Sequence, residues 1–367
     1  MKKPDFFDVR RTINAYPNAQ YYVFFGERSN GKTYSSLDLC LEHWHKTGRQ
    51  FAYVRRWGED VKKKNLSDLF SGHVDHDRIK YWSNGEYNSI DYGSNRFYLT
   101  NITEDGEKVQ STEPIGYAFD LNSMEHTKSI SFPKIDIIIF DEFLSRNGYL
   151  PNEWILFTNT LSTIIRHRSN VKIIMLGNTL NKYCPYFSEM GLTNISKMKK
   201  NDIEIYRYGD NRLTVAVEFA DSTTIKKNNN YFFAFDNPRL SVITGDGNPW
   251  ELPMYPHLPH KYIPKNVLFK YFIKFQNEVL QCNIINVNNC LFTYIHRKTT
   301  ELKHADTDLI YSDEISALPN WRRNITKPLT DIDKKIAKFY VEDKIFYSDN
   351  EVGEIVYNYL KFCKRGA

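Results

Sequence analysis

Apolar and polar positions along this chain fall into two rhythms. In residues 1 to 200, short apolar runs alternate with amphipathic stretches, the pattern of helices layered on a sheet. Tyr21 to Phe25 predicts a short buried strand, Tyr34 to Lys46 the helix after it, and Phe51 to Arg56 a second strand. Arg96 to Thr100 and Gly116 to Asp120 predict strands of a hairpin region carrying polar insertions. Ile135 to Phe140 and Val171 to Leu176 are continuous apolar runs, as expected of strands buried on both faces of a parallel sheet. Between them, Trp154, Phe157, Leu161, Ile164 and Ile165 recur at helical spacing. They predict a helix from about Glu153 to His167, beginning after Pro151 and Asn152.

After Lys200 the texture changes. Residues 201 to 263 are rich in Asn, Asp, Gly and Pro and suggest a linker module, although Leu213 to Phe219 and Tyr231 to Phe235 still look like strands. In residues 264 to 367, Leu268 to Phe275, Val279 to Ile285 and Leu291 to Arg297 follow one another across short polar turns, which predicts an antiparallel meander. The tail from 330 to 364 reads as helical. The expected organisation is an α/β domain over 1–200, a linker over 201–263 and a second domain over 264–367.

The first strand is followed at once by Gly26-Glu27-Arg28-Ser29-Asn30-Gly31-Lys32-Thr33, a full GxxxxGKT phosphate-binding loop (Walker A), and then by a helix. Its glycines let the backbone wrap phosphates, and successive N–H groups with the helix N-terminus offset their charge. In this chemistry Lys32 reaches the β- and γ-phosphates of ATP and the Thr33 hydroxyl ligates Mg²⁺, so Gly26, Arg28, Ser29, Asn30, Gly31, Lys32, Thr33 and Tyr34 are candidate nucleotide-binding residues.

Ile137-Ile138-Ile139-Phe140-Asp141-Glu142 is an apolar strand ending in two acids, a Walker B pattern. Asp141 is placed to hold the Mg²⁺ shell and Glu142 to activate the attacking water as general base. Asn178, ending the next strand, is placed either to sense the γ-phosphate or simply to close a turn. Arg166 and Arg168 follow the helix between these strands. Either they complement the helix dipole, or one is an arginine finger reaching a neighbouring subunit's ATP.

Composition narrows the setting. The 41% hydrophobic and 25% charged residues suit a soluble globular protein, no run approaches a membrane span, and the first residues lack a signal-peptide core. Five scattered cysteines without a CxxC pair fit buried thiols in a reducing compartment, and neither His43 with His45 nor His73 with His76 has thiolates near enough in sequence to suggest a metal site. The 49 basic against 44 acidic residues leave +5, a mild pointer to a polyanionic partner.

Six segments occur in a particular order and spacing: Phe51-Ala52-Tyr53-Val54-Arg55-Arg56, Phe140-Asp141-Glu142-Phe143, Tyr149-Leu150-Pro151-Asn152-Glu153, Arg166-His167-Arg168, Leu176-Gly177-Asn178 and Pro185-Tyr186-Phe187. Together they resemble the DNA-encapsidation ATPases of phi29-like phages, terminase-like P-loop motors, over residues 20 to 190. The resemblance implies an ATPase domain with an additional strand and a catalytic glutamate, a linker, and an α+β C-terminal domain similar to RNase H nucleases. It implies Lys32 and Thr33 as nucleotide and Mg²⁺ ligands, Asp141 as metal support, Glu142 as base and Arg166 as the finger acting in trans. Lys128, thirteen residues before Asp141, matches a basic position near the subunit interface. The resemblance further implies a homo-oligomeric ring, a pentamer, docked on the portal of a procapsid in the cytoplasm of an infected bacterium. There it would drive double-stranded DNA inward, with a structural RNA as a candidate partner.

The C-terminal part departs from a working nuclease. Two-metal cleavage needs converging acids, normally one in the first strand. Leu268 to Phe275 offers Lys270, Tyr271 and Lys274 but no acid, and Asp306, Asp308 and Asp313 lie beyond the meander. The expectation is a vestigial, non-cleaving domain that holds DNA or the portal through Lys and Arg contacts. The competing readings are a helicase or helicase loader, which needs stacking platforms for single strands, a nucleotide-gated adaptor without turnover, and a small-molecule kinase.

Overall fold

The computed structural model describes residues 7–26, 30–122, 131–145, 149–178, 184–209, 213–220, 255–258, 266–276 and 278–365. The chain divides into two compact units, Met1–Pro249 and Trp250–Ala367. The first begins with α1 (Arg10–Ala15), β1 (Tyr21–Gly26), α2 (Lys32–Thr47) and β2 (Gln50–Arg55), followed by short helices α3 (Lys63–Leu66), α4 (Ser71–Asp75) and α5 (Arg78–Trp82). Next come β3 (Ser89–Gly93), β4 (Arg96–Ile102), β5 (Lys108–Gln110), β6 (Gly116–Asp120), β7 (Ile135–Asp141), α6 (Glu153–Ile165), β8 (Lys172–Asn178) and α7 (Pro185–Glu189). The described part of this unit closes with β9 (Ile203–Tyr208) and β10 (Leu213–Ala220).

These strands form one sheet in the order β3-β4-β6-β2-β7-β8-β1-β10-β9, with β5 on β4. The six strands from β6 to β10 in that order are parallel, and antiparallel strands border them on both sides. Alternation of side chains explains the two cores. Tyr22, Phe24, Tyr53, Ile137, Ile139 and Ile174 face Leu37, Cys40 and Leu41 of α2. Val23, Phe25, Ala52, Val54, Ile138, Phe140 and Met175 face Phe157, Leu161 and Ile164 of α6. Burying each of these large side chains contributes about 1.5–3 kcal/mol.

The structure differs from the sequence pattern in two places here. β4 and β6 pair antiparallel only at Arg96–Tyr117 and Phe97–Gly116, while β6 runs parallel to β2 along its length. The hairpin is instead β3–β4, turned at Ser94 and Asn95, whose φ values of 51° and 59° suit a two-residue turn matched to strand twist. Residues 203–220, within the stretch suggestive of a linker, carry two strands of this sheet, β10 lying parallel against β1. The Tyr231 to Phe235 strand expectation falls outside the described residues.

The second unit comprises β11 (Val267–Phe275), β12 (Glu278–Val287), β13 (Cys290–Arg297), β14 (Ile310–Ser312), β15 (Trp321–Arg322), α8 (Asp331–Val341), β16 (Ile345–Tyr347) and α9 (Asn350–Arg365). Its sheet order is β15-β14-β11-β12-β13-β16. β11 to β13 form the expected antiparallel meander, and β14 runs parallel to β11. The helical tail is interrupted. A capping box between Thr330 and Asp333 starts α8, and beyond its end Asp343 at φ 52° precedes β16, which adds parallel to β13. Among the described residues no helix is long and apolar enough to cross a membrane.

Candidate nucleotide-binding site

The parallel strands β1, β7 and β8 all end at one edge of the first sheet, and α2 begins there. Gly31 caps α2 at φ 97°, a backbone conformation that would strain any residue with a Cβ. Asn30 is 2% exposed; its amide donates to the Ala220 carbonyl at 3.3 Å and its Oδ1 accepts from the Lys32 N–H at 3.3 Å. Lys32 turns back toward the end of β1, its Nζ 3.2 Å from the Gly26 carbonyl and 3.1 Å from Asn30 Oδ1. A phosphate can replace these two neutral oxygens as partner of the ammonium, at a helix N-terminus whose dipole favours an anion.

Asp141, at the end of β7, is bound by three donors. The Thr33 hydroxyl reaches Oδ2 at 3.0 Å, the Tyr53 hydroxyl reaches the same atom at 2.8 Å, and the Glu142 N–H reaches Oδ1 at 3.0 Å. Burial and the neighbouring Asp141 charge push the Tyr53 phenol well up, so it remains a donor. Glu142 follows with φ 58°, left-handed for a residue with a side chain. Its carboxylate accepts from Arg55 at 2.7 Å and its carbonyl accepts from Arg56 at 3.0 Å. On β8, Gly177 leaves room for nothing more: a Cβ there would lie 2.7 Å from Leu144 and 2.8 Å from Phe143. Asn178 stands beside Gly26 in the β1–β8 register.

A cleft of about 380 Å³ is lined by Asn30, Gly31, Lys32, Thr33, Tyr34, Asp141, Glu142, Leu176, Gly177 and Asn178. The two motifs, 108 positions apart between Thr33 and Asp141, meet in it. The paired Thr33 hydroxyl and Asp141 carboxylate form a hard oxygen donor set that suits Mg²⁺. Arg28, Ser29 and Lys128 lie outside the described residues. Arg166 and Arg168 lie away from the cleft, just before β8 starts, so that its seven residues, roughly 20 Å, separate them from the Asn178 edge. Arg168 is committed within its own chain, donating to the carbonyls of Phe132, Pro133, Ile135, Ile164 and Ile165 and to Asp136.

Four contributors escaped sequence reasoning as individuals: Tyr53, Arg55, Arg56 and Glu153. The available signal was two adjacent arginines closing an apolar strand beside the acidic one. His73, an ordinary polar residue by its sequence setting, is instead buried against the cleft residue Tyr34. It is 1% exposed, its ring stacks on Tyr34 at 4.1 Å, and burial depresses its pKa from 6.5 to about 4.

Residues 1–228 match the family model described as podovirus DNA encapsidation protein (Gp16). The chain belongs to that family. The DNA packaging protein of Bacillus phage phi29 is 28% identical over 192 residues, covering 51% of this chain and 50% of its own length. The DNA packaging protein of Bacillus phage B103 is 31% identical over 170 residues, covering 46% of each chain. The chain thus spans about half the length of the curated relatives it matches. Two solved structures share the fold over nearly the whole chain. The bacteriophage Phi-29 viral genome packaging motor assembly has a TM-score of 0.57 at 18% identity, covering 99% of this chain and 100% of that one. The Phi-28 gp11 DNA packaging motor has a TM-score of 0.53 at 16% identity, covering 99% of both.

Proposed function

We propose that this member of the encapsidation family is an ATPase whose hydrolysis moves double-stranded viral DNA through a portal into a procapsid. The observation that carries the reading is the 3.0 Å contact between Thr33 and Asp141, with Glu142 next in chain and Lys32 in the same cleft. A phosphate cradle, a metal-binding oxygen pair and an adjacent carboxylate are what phosphoryl transfer to water requires. A pure adaptor would need no such base, and a kinase would need an acceptor site.

Thr33 and Asp141 would hold Mg²⁺, which when bound offsets the charge on the β- and γ-phosphate oxygens. Lys32 exchanges its contacts with Gly26 and Asn30 for the phosphates. Tyr53 keeps Asp141 oriented, Glu142 accepts a proton from the attacking water, and Asn178 senses loss of the γ-phosphate. Arg166, at the edge of the sheet remote from its own cleft, acts as a finger only on the ATP of a neighbouring subunit, which requires a ring. In the second unit, strands β14 and β15 follow β11 in a parallel sense beside the meander, which supports an RNase H-like reading. No acid occurs in β11, which supports a non-cleaving role in holding DNA or the portal.

The test measures ATP turnover with and without double-stranded DNA for the wild type, Glu142→Gln and Arg166→Ala, and for mixtures of the two variants. DNA-stimulated turnover, two variants reduced to slow residual turnover and partial recovery on mixing support the motor. Turnover indifferent to DNA overturns it, and single-strand preference favours a helicase instead.

A further inference from the structure

Arg56 does not line the cleft, yet it contacts the backbone of the residue we assign as base. It is 4% exposed and spends its guanidinium in three directions: Nε to the Glu153 carboxylate at 2.8 Å, one terminal nitrogen to the Glu142 carbonyl at 3.0 Å, and the other to the Phe143 carbonyl at 2.7 Å. The ring of Tyr149 lies 4.9 Å from its central carbon. Glu153, 3% exposed at the start of α6, also accepts from the Leu150 N–H at 2.6 Å and from the Tyr186 hydroxyl at 2.7 Å. Tyr186 is fully buried on α7, the helix after β8 and Asn178. A continuous hydrogen-bonded path therefore runs from α7 through Glu153 and Arg56 to the Glu142 carbonyl.

Stability alone is a poor reason for such a path. Desolvation largely offsets the attraction within a buried ion pair, and apolar side chains of similar volume commonly stabilise as well. What they could not do is capture two successive carbonyls. Glu142 sits at φ 58°, a left-handed conformation that a residue with a Cβ adopts only against steric strain. Bonds to its own carbonyl and the next one hold the backbone there, and the backbone decides where the carboxylate leaves the chain.

We propose that Arg56 is a positioning residue for Glu142, and that Glu153 and Tyr186 hold Arg56 in the orientation this requires. The proposal rests on the reading of Glu142 as the general base of ATP hydrolysis. It makes Tyr186, which is not among the described residues lining the cleft, part of what sets the rate of the chemical step.

The decisive variant is Tyr186→Phe, which removes one oxygen and keeps the ring. Single-turnover hydrolysis, nucleotide Kd and thermal unfolding are measured for it, for Arg56→Lys, and for Tyr186→Phe combined with Glu142→Gln. Tyr186→Phe is expected to slow hydrolysis about tenfold with Kd within about twofold of wild type, since small displacements of a reacting group carry large rate costs. Arg56→Lys, a point charge that cannot span three acceptors, is expected to cost about a hundredfold. In the Glu142→Gln background Tyr186→Phe should cause no further loss, because the group it positions is gone. A folded Tyr186→Phe with wild-type rate, or one that loses the same factor without the Glu142 carboxylate, overturns the proposal while leaving the ATPase reading intact. A wild type that hydrolyses no ATP removes both.

Discussion

Arg55 and Glu142 form a 2.7 Å ion pair across the ends of two adjacent parallel strands, β2 and β7. The pair is uneven: the arginine side chain is 17% exposed and the glutamate 52%. Burial alone would lower the Arg55 pKa, but Tyr53, Glu142 and Asp141 around it outweigh that and raise it above the ordinary value. The guanidinium, which also touches Tyr53 and Asp60, is the buried partner against which a more exposed carboxylate rests. Its Nε is buried without a hydrogen-bond partner among the described residues.

From this pair we expect Arg55→Ala to lower ATP turnover by about ten- to a hundredfold with little change in nucleotide affinity, because Glu142 loses its side-chain anchor and samples unproductive directions. Steady-state kinetics with a separate nucleotide-binding titration decides the matter. Turnover above wild type would show that Arg55 restrains the base instead of orienting it.

Arg166 and Arg168 should separate cleanly by readout. Arg168 ties the end of α6 to the segment before β7 through several backbone carbonyls, so Arg168→Ala leaves buried acceptors unpaired and should destabilise by about 1–3 kcal/mol. Arg166 is exposed at φ 51° and should tolerate Ala with a melting temperature close to wild type while losing turnover. Calorimetry and ATPase assays on the two variants check both halves. A melting loss confined to Arg166→Ala would reverse the assignment.

The site was legible where chemistry is written locally. Gly26 to Thr33 is one contiguous motif, and the apolar runs ending at Asp141 and Asn178 are long enough to mark buried parallel strands. What stayed hidden depends on partners distant in sequence. Glu153 pairs with Arg56 across 97 positions, and neither neighbourhood announces the other. β10 itself was legible as Leu213 to Phe219, but the turn-forming residues around it disguised its place in the first sheet, where it pairs parallel with β1. β16 is three residues long between two helices, too short for any periodicity to register.

Gly177→Ala should disturb the acid-bearing loop specifically. Its added methyl would meet Leu144 and Phe143 below 3.0 Å, and the Phe143 N–H is bonded to the Leu176 carbonyl at 3.1 Å. Relief requires the segment just after Glu142 to move away from β8. We expect a stability loss of about 1–3 kcal/mol and a larger proportional fall in turnover than in nucleotide affinity. A variant with normal turnover would mean the loop relaxes without shifting Glu142.

His73 should make the first unit sensitive to mild acid. Burial is the largest cause of its depressed pKa, and Tyr34 covers its ring. Because the folded value of about 4 lies below the ordinary 6.5, the unfolded chain takes up the proton first as pH falls. The stability held by neutral His73 is complete above pH 6.5 and is lost on the way down to pH 4, with about 2 kcal/mol gone by pH 5. His73→Gln, which cannot titrate, should be less stable than wild type at pH 7.5, with the difference shrinking by about that amount at pH 5. Denaturant unfolding of both proteins at the two pH values measures it directly. A difference independent of pH would mean that His73 has the same proton affinity in the folded and the unfolded chain, so that its burial does not disfavour the charged ring.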